Sequence, residues 1–399
     1  TTNSSISKKT PLKTIQELAE QSDSLTQLQL GEMHYKGEGV TQNYAESLKW
    51  FNKAADQNNA IAQYNIGIIY LNGYGLKKDI KQALNWFKKS AANNLPDAQY
   101  VLGAMLAEGI VVKTDYTRAL EWFKKAANRN NARAKFCIGA LYGSGKGVKQ
   151  DNKQAIEWYR KAAYQGLPKA QLLLAQTYFH GKGTPQDYSQ ALIWFSKAAD
   201  QNIAIAQYNL GIMHYNGIGV PTNYQRAIPL FQKAANQNYA EAQLMLGIMH
   251  YNGEGLPKDY LKAFDWLQKA ANQNVAEAQF DIGNMYYDGN GVSRDYSQAL
   301  NWFRKAADQR DADAPRLLSK MYRLGAGVPK NRIIAYALDL VAGSHSDSPA
   351  EEKANQMNSI HGAMSPDELN AAEKLAYEMI KPGNFLRALD AYQQHQKQP

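Results

Sequence analysis

The feature that most constrains this chain is a pair of glycines, separated by one residue, that recurs every 36 residues. The complete pairs are Gly37/Gly39, Gly73/Gly75, Gly145/Gly147, Gly181/Gly183, Gly217/Gly219, Gly253/Gly255, Gly289/Gly291 and Gly325/Gly327. A ninth copy keeps Gly109 but has Val111 at the second position. A fixed period of this length without insertions indicates an array of nine stacked repeats rather than one compact domain.

Each repeat has the pattern of two helices joined by turns. In the first, helix A, apolar residues recur at i, i+3 and i+4, and the first glycine is placed to end the helix in the left-handed conformation. The second, helix B, is predicted to begin after an Asn or Asp that caps its first turn. These caps are Asn43, Asp79, Asp115, Asp151, Asp187, Asn223, Asp259, Asp295 and Asn331. Capping boxes are predicted in five repeats, completed by Glu46, Gln82, Gln154, Gln190 and Gln298.

Two recurring positions predict how the helices pack. In the middle of helix A, eight repeats have Gly or Ala, and Gly67 and Gly211 are examples. Because glycine costs a helix about 1 kcal/mol relative to alanine, its repetition predicts that another helix approaches closely there. All seven tryptophans occupy one position of helix B, and Leu230 and Leu338 fill it in the other two repeats. We expect these large side chains to form the continuous core of the stack.

The consensus A-x-A-Q-x-x-L-G-x-x-Y-x-x-G-x-G-V-x-x-D-Y-x-x-A-x-x-W-F-x-K-A-A resembles the Sel-1-like repeat, a relative of the tetratricopeptide repeat. The resemblance implies an all-α fold, a right-handed α-solenoid of nine 36-residue helix-turn-helix repeats with helical caps, which binds other proteins. The chain then has three parts. Residues 1–22 form a mobile N-terminus and a capping helix over Pro11–Gln21, and residues 23–346 form the nine repeats. Residues 347–399 form a C-terminal helical cap and tail, with helices predicted over Pro349–His361 and Ser365–Ile380.

Composition limits the classes of partner. The net charge is +9, and Pro96–Leu167 contains twelve lysines and arginines against six acidic residues. This charge is sufficient for a weak contact of repeats three and four with an acidic partner or an anionic membrane surface, although it also fits solvated helix faces. Nucleic acid is not an expected partner, because no nucleic-acid-binding motif accompanies the charge. Apolar runs are too short for a transmembrane helix, and the single cysteine, Cys137, excludes a disulfide framework.

The sequence contains no recognisable catalytic or metal-binding constellation. His34, His214 and His250 share one repeat position, so they are expected on the order of 10 Å apart or more in a helical stack. Zinc ligands need bonds of about 2 Å to one ion, so these histidines do not form a site together. No nucleophile, base and orienting acid can be assembled from the spacing. We therefore expect a protein without enzymatic activity, metal or cofactor.

The candidate binding residues lie on the exposed side of the helix A row, which by analogy with tetratricopeptide repeats lines a concave groove. The apolar candidates are Tyr64, Leu71, Tyr100, Phe136, Phe179, Tyr208, Tyr215, Tyr251, Phe280 and Tyr287. The polar candidates are Asn72, His180, Asn216, Asn252 and Asp288. Tyrosine combines a large contact area with a hydrogen-bonding tip, which suits recognition. Some aromatic side chains also fit packing between adjacent helices, and the asparagines also fit helix termination.

The sequence therefore predicts a scaffold that binds a peptide or helix of a partner protein in this groove. The family resemblance implies an exported bacterial factor acting on host entry or vesicle trafficking, secreted or periplasmic in a Gram-negative bacterium, and a cytoplasmic location stays open. The start at Thr1-Thr2-Asn3 suits a mature secreted protein as well as a trimmed chain. One alternative is an internal bacterial scaffold for envelope export or signalling. The other is a cell-wall or β-lactam hydrolase, which the single cysteine and the lack of a catalytic cluster disfavour.

Overall fold

A computed structural model describes residues 12–21, 23–110, 113–343, 362 and 364–396 of the chain. Across these residues all regular structure is α-helical, with 21 helices and no β-strand. The helices are α1 Leu12–Glu20, α2 Ser24–Lys36, α3 Tyr44–Asp56, α4 Ala60–Asn72, α5 Ile80–Ala92, α6 Pro96–Glu108, α7 Tyr116–Asn128, α8 Ala132–Ser144, α9 Asn152–Tyr164, α10 Pro168–His180, α11 Tyr188–Asp200, α12 Ala204–Asn216, α13 Tyr224–Asn236, α14 Ala240–Asn252, α15 Tyr260–Asn272, α16 Ala276–Asp288, α17 Tyr296–Asp308, α18 Ala314–Leu324, α19 Arg332–Gly343, α20 Pro366–Met379 and α21 Phe385–His395. The helix predicted over Pro349–His361 lies outside the described residues.

The nine helix pairs run from α2 to α19, with helix A even-numbered and helix B odd-numbered. By contacts the chain divides into two compact blocks, an N-terminal block Thr1–Lys197 and a C-terminal block Ala198–Pro399. In the N-terminal block each helix from α2 to α10 packs on the next, and in the C-terminal block the same holds from α12 to α21. The predicted all-α solenoid of nine consecutive repeats is confirmed.

The predicted helix caps are present. The first glycine of each pair is left-handed; Gly253, for example, has φ 80° and donates its N–H to Met249 O at 2.9 Å. All nine predicted Asn or Asp caps accept a backbone N–H of the first turn of helix B. The Asp259 carboxylate, for instance, accepts from Lys262 N at 3.0 Å. Local capping by short polar side chains therefore sets where each helix begins and ends.

The five predicted capping boxes are not completed. In those repeats the N–H of the capping residue donates to a carbonyl near the end of helix A, as Asp79 N–H does to Tyr70 O and Asp295 N–H to Tyr286 O, both at 2.9 Å. This loop bond already uses the donor that the capping box needs. Both halves of the box are present instead at Ser365, the N-cap of α20.

The close approach predicted at the helix A glycine is real. A Cβ built on Gly211 would lie 2.6 Å from Cε1 of Phe231, and one on Gly67 would lie 2.6 Å from Cε1 of Phe87. The contacting residue follows the tryptophan position in helix B. It is nearly inaccessible in seven repeats, as the phenylalanines Phe51, Phe87, Phe123, Phe195, Phe231 and Phe303 and as Leu267. This residue therefore forms the core contact between helices A and B.

The tryptophans pack against the core of the preceding repeat, as the predicted stacking requires, but most of them are not fully buried. Trp50 and Trp194 are buried, but the other five tryptophans are half-buried. The lysine three positions later covers each of the seven rings, with Nζ 4.0–4.7 Å from the ring centroid. At this distance a cation is attracted by the face of the indole ring. The tryptophans thus lie at the edge of the core, under a layer of lysines.

A ladder of buried amides connects successive repeats. Nε2 of the helix A glutamine donates to the last alanine carbonyl of the preceding helix B, as Gln243 does to Ala235 O at 3.2 Å. Its Oε1 then accepts from the amide at the end of its own repeat's helix B, as Gln243 does from Gln273 Nε2 at 2.8 Å. The same pair of bonds recurs at Gln63, with Ala55 and Asn93 as partners. Because a buried amide without partners is costly, this ladder fixes the register of one repeat on the next.

Helices of atypical sequence cover the two ends of the array. In the N-terminal block, Gln27 Nε2 donates to Ala19 O of α1 at 3.0 Å, so α1 takes the place of a preceding helix B, as predicted. In the C-terminal block, the cap predicted over Ser365–Ile380 is present as α20, and α21 packs back on α17. Arg304 of α17 pairs with Asp390 of α21.

Candidate functional site

The fifteen candidate residues occupy three positions of helix A, the fifth, twelfth and thirteenth. Seven lie in the N-terminal block and eight in the C-terminal block. None of them is buried: the ten apolar side chains are half-buried and the five polar ones are exposed. Within each block, these three positions share one face of helix A. The residues predicted from the repeat register therefore lie on a common, accessible side of their helices.

The fifth-position aromatics rest on the core phenylalanine. The ring centroids of Tyr64 and Phe87 are 5.5 Å apart, and those of Phe280 and Phe303 are 5.6 Å apart. Tyr100 and Tyr208 make the same contact in their repeats, and Phe136 packs instead on the half-buried Tyr159, which replaces the phenylalanine in repeat four. One side of each ring is therefore fixed by the core, while the half-buried side chain keeps part of its surface accessible.

The twelfth-position tyrosines also join adjacent repeats. Tyr251 lies 5.0 Å, centroid to centroid, from Tyr260 at the start of its own helix B. Its hydroxyl accepts a hydrogen bond from Asn290 Nδ2 at 3.0 Å, in the Gly-x-Gly turn of the next repeat. The Tyr215 hydroxyl donates to the carboxylate of Glu254, at the equivalent place in the next Gly-x-Gly turn. The hydroxyls of these two tyrosines are thus engaged within the protein, and their rings serve packing as well as surface.

The thirteenth-position residues precede the capping glycine and point to solvent. Asn72 Nδ2 donates to Ile68 O at 3.0 Å, one turn earlier on its own helix. Asn252 Nδ2 donates to Glu254 Oε1 at 2.9 Å. Asn216, His180 and Asp288 are exposed. This row offers the most accessible polar groups of the candidate site.

One stretch of the helix A face in the C-terminal block is acidic and aromatic. Tyr208 and Tyr239 lie 5.3 Å apart, centroid to centroid. Burial, and after it Glu241 and Tyr208, raise the pKa of Tyr239 to about 12. Burial is also the main cause that raises the pKa of Tyr208, followed by Glu241 and Glu277. The acidic residues are therefore close enough to the two rings to oppose their ionisation.

Asp281 is the most strongly perturbed acid of this stretch, and it makes stability depend on pH. Burial, then Glu277 and Asp311, raise its pKa from 3.8 to about 7. The folded carboxyl keeps its proton where the unfolded one has lost it, so the free energy of unfolding falls as pH rises from about 4 to about 7. Repeats two and six carry Asn65 and Asn209 at this position. We expect Asp281→Asn to raise the melting temperature at about pH 8 and to leave it unchanged near pH 4.

Thermal unfolding of the wild type and the Asp281→Asn variant at both pH values checks this prediction. An equal difference at the two pH values would show that ionisation of this carboxyl does not limit stability. Glu373→Gln, a change outside this stretch, is the matched control and should show no comparable gain at alkaline pH.

Burial also shifts the pKa of two histidines and of the single cysteine. Burial lowers the pKa of His214 and His250, with smaller contributions from Arg226 and Lys262. Burial, together with Glu108, raises the pKa of the Cys137 thiol to about 11, so the thiol is protonated at neutral pH. In the described part of the chain, no three His, Cys, Asp or Glu side chains form a group that could hold a metal ion. Nor does any described helix have the length and apolar character needed to cross a membrane.

The sequence analysis missed residues that depart from the repeat consensus. Tyr239 stands where other repeats have Asp, Asn, Leu, Ile or Val, and Asp281 stands in a row that is mostly amide or apolar. A comparison of each position across the nine repeats would have found both. The buried glutamines were visible as part of the consensus, but nothing in their spacing showed that they bond to one another.

Comparisons with known proteins agree with this architecture. The family described as Sel1 repeat matches residues 24–59, 60–95, 96–131, 133–167, 168–203, 204–239, 240–275, 276–311 and 312–338. The solved structure of a Sel1 repeat protein from Oxalobacter formigenes is 31% identical, covers 78% of this chain and 90% of its own, and has a TM-score of 0.55. A protective antigen of uropathogenic Escherichia coli with an SLR fold is 28% identical over 98% of each chain, with a TM-score of 0.49. No curated protein matches the chain. Nine consecutive family matches cover most of its length, and the chain belongs to the Sel1 repeat family.

Proposed function

We propose that this protein is a non-enzymatic scaffold that holds a peptide or a helix of a partner protein against its helix A faces. Sel1 repeat proteins generally serve as non-enzymatic scaffolds for protein interactions. The observation that carries the proposal is that all fifteen candidate residues keep exposed surface, with aromatic rings beside amides and a carboxylate. Large part-exposed aromatic surface next to hydrogen-bonding groups is typical of recognition sites.

The fixed geometry of the rings supports tight recognition. Tyr208 is held between Phe231 and Tyr239, and Phe280 rests on Phe303. A partner that contacts these rings does not have to order them first, which lowers the entropic cost of binding. The exposed amide of Asn216 and the amide oxygen of Asn252, whose Nδ2 donates to Glu254, are placed to hydrogen-bond the backbone of an extended peptide.

The biological setting that we propose is export from a Gram-negative bacterium and action on a host protein in entry or vesicle trafficking. Its support is the family resemblance. The internal envelope scaffold is the competing setting, and the same capture experiment separates the two. Repeats three and four add the proposed weak contact with an anionic surface, supported by the exposed Lys124, Arg133 and Lys153.

The test is a variant that blocks the helix A face of the C-terminal block. Asn216→Arg, Asn252→Arg and Asp288→Arg together place three long side chains on the exposed thirteenth row. We expect this triple variant to lose a partner captured by the wild type, with binding weakened at least about tenfold, because bulky charged groups occupy the contact surface. Capture is performed from host-cell lysate and from bacterial envelope extract in parallel, and the source of the lost partner indicates the setting.

The matched control carries the same change in charge on helix B. Gln232→Arg, Asp265→Arg and Asn301→Arg are exposed positions of α13, α15 and α17. This control should keep the partner. Equal capture by both triple variants would overturn the helix A proposal, and equal loss would mean that added positive charge, not the helix A face, disrupts binding. Circular dichroism of both variants establishes that the helices are retained.

A further inference from the structure

Repeats four and nine lack the helix A glutamine of the amide ladder, with Lys135 and Pro315 in its place, whereas repeat three keeps the glutamine but lacks the amide that would donate to it. In five repeats the Oε1 of the helix A glutamine accepts from the side-chain amide at the end of helix B in the same repeat. The pairs are Gln57 to Gln27, Asn93 to Gln63, Gln237 to Gln207, Gln273 to Gln243 and Gln309 to Gln279, at 2.7–2.9 Å. In repeat three the acceptor is Gln99, and the residue in the donor position is Arg129.

Gln99 is left with an open acceptor as a result. Gln99 is 2% exposed. Its Nε2 donates to Ala91 O at 3.3 Å, the same bond to the preceding helix B that Gln63 and Gln243 make. Its Oε1 is buried without a hydrogen-bond partner among the described residues. A buried acceptor of this kind costs about 1–3 kcal/mol when no donor reaches it. An arginine in place of the usual amide has therefore removed a bond that repeats one, two, six, seven and eight keep.

A cavity of about 600 Å³ opens beside this acceptor, between α5, α6 and α7. Its lining includes Gln99, Trp122, Lys125, Asn128 and Arg129. Lys125 Nζ lies 4.2 Å from the centroid of the Trp122 ring, which forms a flat apolar wall. Two cationic side chains, one apolar wall and one buried acceptor thus line the same space. No carboxylate among the described residues pairs with Arg129 or Lys125.

We propose that this cavity binds an acidic peptide segment, whose backbone N–H donates to Gln99 Oε1 and whose carboxylate pairs with Arg129. An amide N–H fits the acceptor, because an amide N–H occupies the equivalent acceptor in five other repeats. The carboxylate fits the guanidinium, which binds planar anions through two parallel hydrogen bonds. Lys125, which is stacked on Trp122, supplies a second positive charge.

This site is separate from the helix A face of the proposed function. Its lining contains none of the fifteen candidate residues. If the cavity does not bind the peptide, the proposal for the helix A face is unaffected. If the helix A variant keeps its partner, the proposal for this cavity is likewise unaffected.

The experiment uses the full chain and a fluorescent heptapeptide of glycine and serine with three central aspartates, blocked at both ends. The key variant is Arg129→Gln, which removes the cation and supplies the amide donor found in the other repeats. We expect it to weaken peptide binding at least about tenfold, the effect of one charge-assisted hydrogen bond. We also expect a higher melting temperature, because Gln99 Oε1 gains its donor. Lys81→Gln removes the same charge from an exposed position of α5 outside the lining and should change affinity less than about threefold.

Fluorescence anisotropy and thermal unfolding give distinct outcomes. An unchanged melting temperature in Arg129→Gln would show that Gln99 Oε1 already has a hydrogen-bond donor in the wild type, and the premise of an unpaired acceptor would be wrong. Unchanged peptide affinity in that variant, or equal binding of a peptide with asparagines in place of the aspartates, overturns the acidic-peptide site. Binding of vesicles rich in phosphatidylserine without binding of the peptide also overturns it, in favour of a membrane surface.

Discussion

Replacing Phe303 with alanine is expected to lower the free energy of unfolding by about 3–5 kcal/mol, the usual cost of emptying a buried phenylalanine site. Phe303 is fully buried, and a Cβ built on Gly283 would lie 2.6 Å from its ring. The neighbouring Trp302 is larger but half-buried, and Lys305 Nζ lies 4.0 Å from its ring centroid. Trp302→Ala should therefore cost less, about 1–2 kcal/mol, because less apolar surface returns to water.

Urea denaturation of both variants, followed by circular dichroism, checks this ranking. Repeat arrays do not always unfold in one step, so hydrogen exchange of the α16 and α17 amides provides the local measurement. Trp302→Phe is the control that keeps an aromatic ring at the same position. A larger loss of unfolding free energy for Trp302→Ala than for Phe303→Ala would show that tryptophan, not phenylalanine, is the main core residue of this repeat.

Replacing the second glycine of a Gly-x-Gly turn should cost more than replacing the first. Gly289 and Gly291 have φ of 79° and 73°, so alanine is strained at both, by about 1–2 kcal/mol. The surroundings differ. A Cβ on Gly289 would meet Arg294 Cβ at 3.4 Å, an ordinary contact, whereas one on Gly291 would lie 2.6 Å from Tyr260 O. Backbone cannot yield as a flexible side chain does, so we expect Gly291→Ala to cost about 2–4 kcal/mol in total.

The two single variants are compared by the same denaturation experiment. Gly383→Ala, at a left-handed glycine with open space around its Cβ position, isolates the conformational cost alone. If Gly291→Ala and Gly289→Ala cost the same, the approach of the preceding repeat's helix B does not constrain the second glycine.

Much of the fold follows from the sequence, because its signals are local and repeated nine times. The Gly-x-Gly period gave the helix boundaries, and the cap at Asp259 is where the pattern predicts it. The choice between tryptophan and phenylalanine as core residue could not be made in this way. Both are large, apolar and adjacent in helix B, and only the packing direction of the helix decides which one is buried. The amide ladder was hidden for a similar reason, since Gln243 and Gln273 meet through a tertiary contact.

The candidate site is less well determined by the sequence. The register correctly assigns Tyr208 and Tyr251 to an accessible side of helix A. It does not reveal that the Tyr251 hydroxyl is engaged by Asn290, or that Tyr239 stacks beside Tyr208. Such contacts depend on residues that differ from repeat to repeat, whereas a consensus averages those differences away. Arg129 is the clearest example, because its significance appears only when its repeat is compared with the other eight.

The amide ladder also bears on how an array of this kind can change its length. Each step joins a helix A glutamine to the preceding alanine carbonyl and to the amide that ends its own repeat, as Gln243 joins Ala235 and Gln273. Where the neighbouring repeats keep these glutamines and amides, as in repeats six to eight, excision or duplication of 36 residues brings together the same donors and acceptors. A change of any other length displaces them. We therefore expect copies to be gained or lost as whole repeats, because only then does the interface between them stay constant.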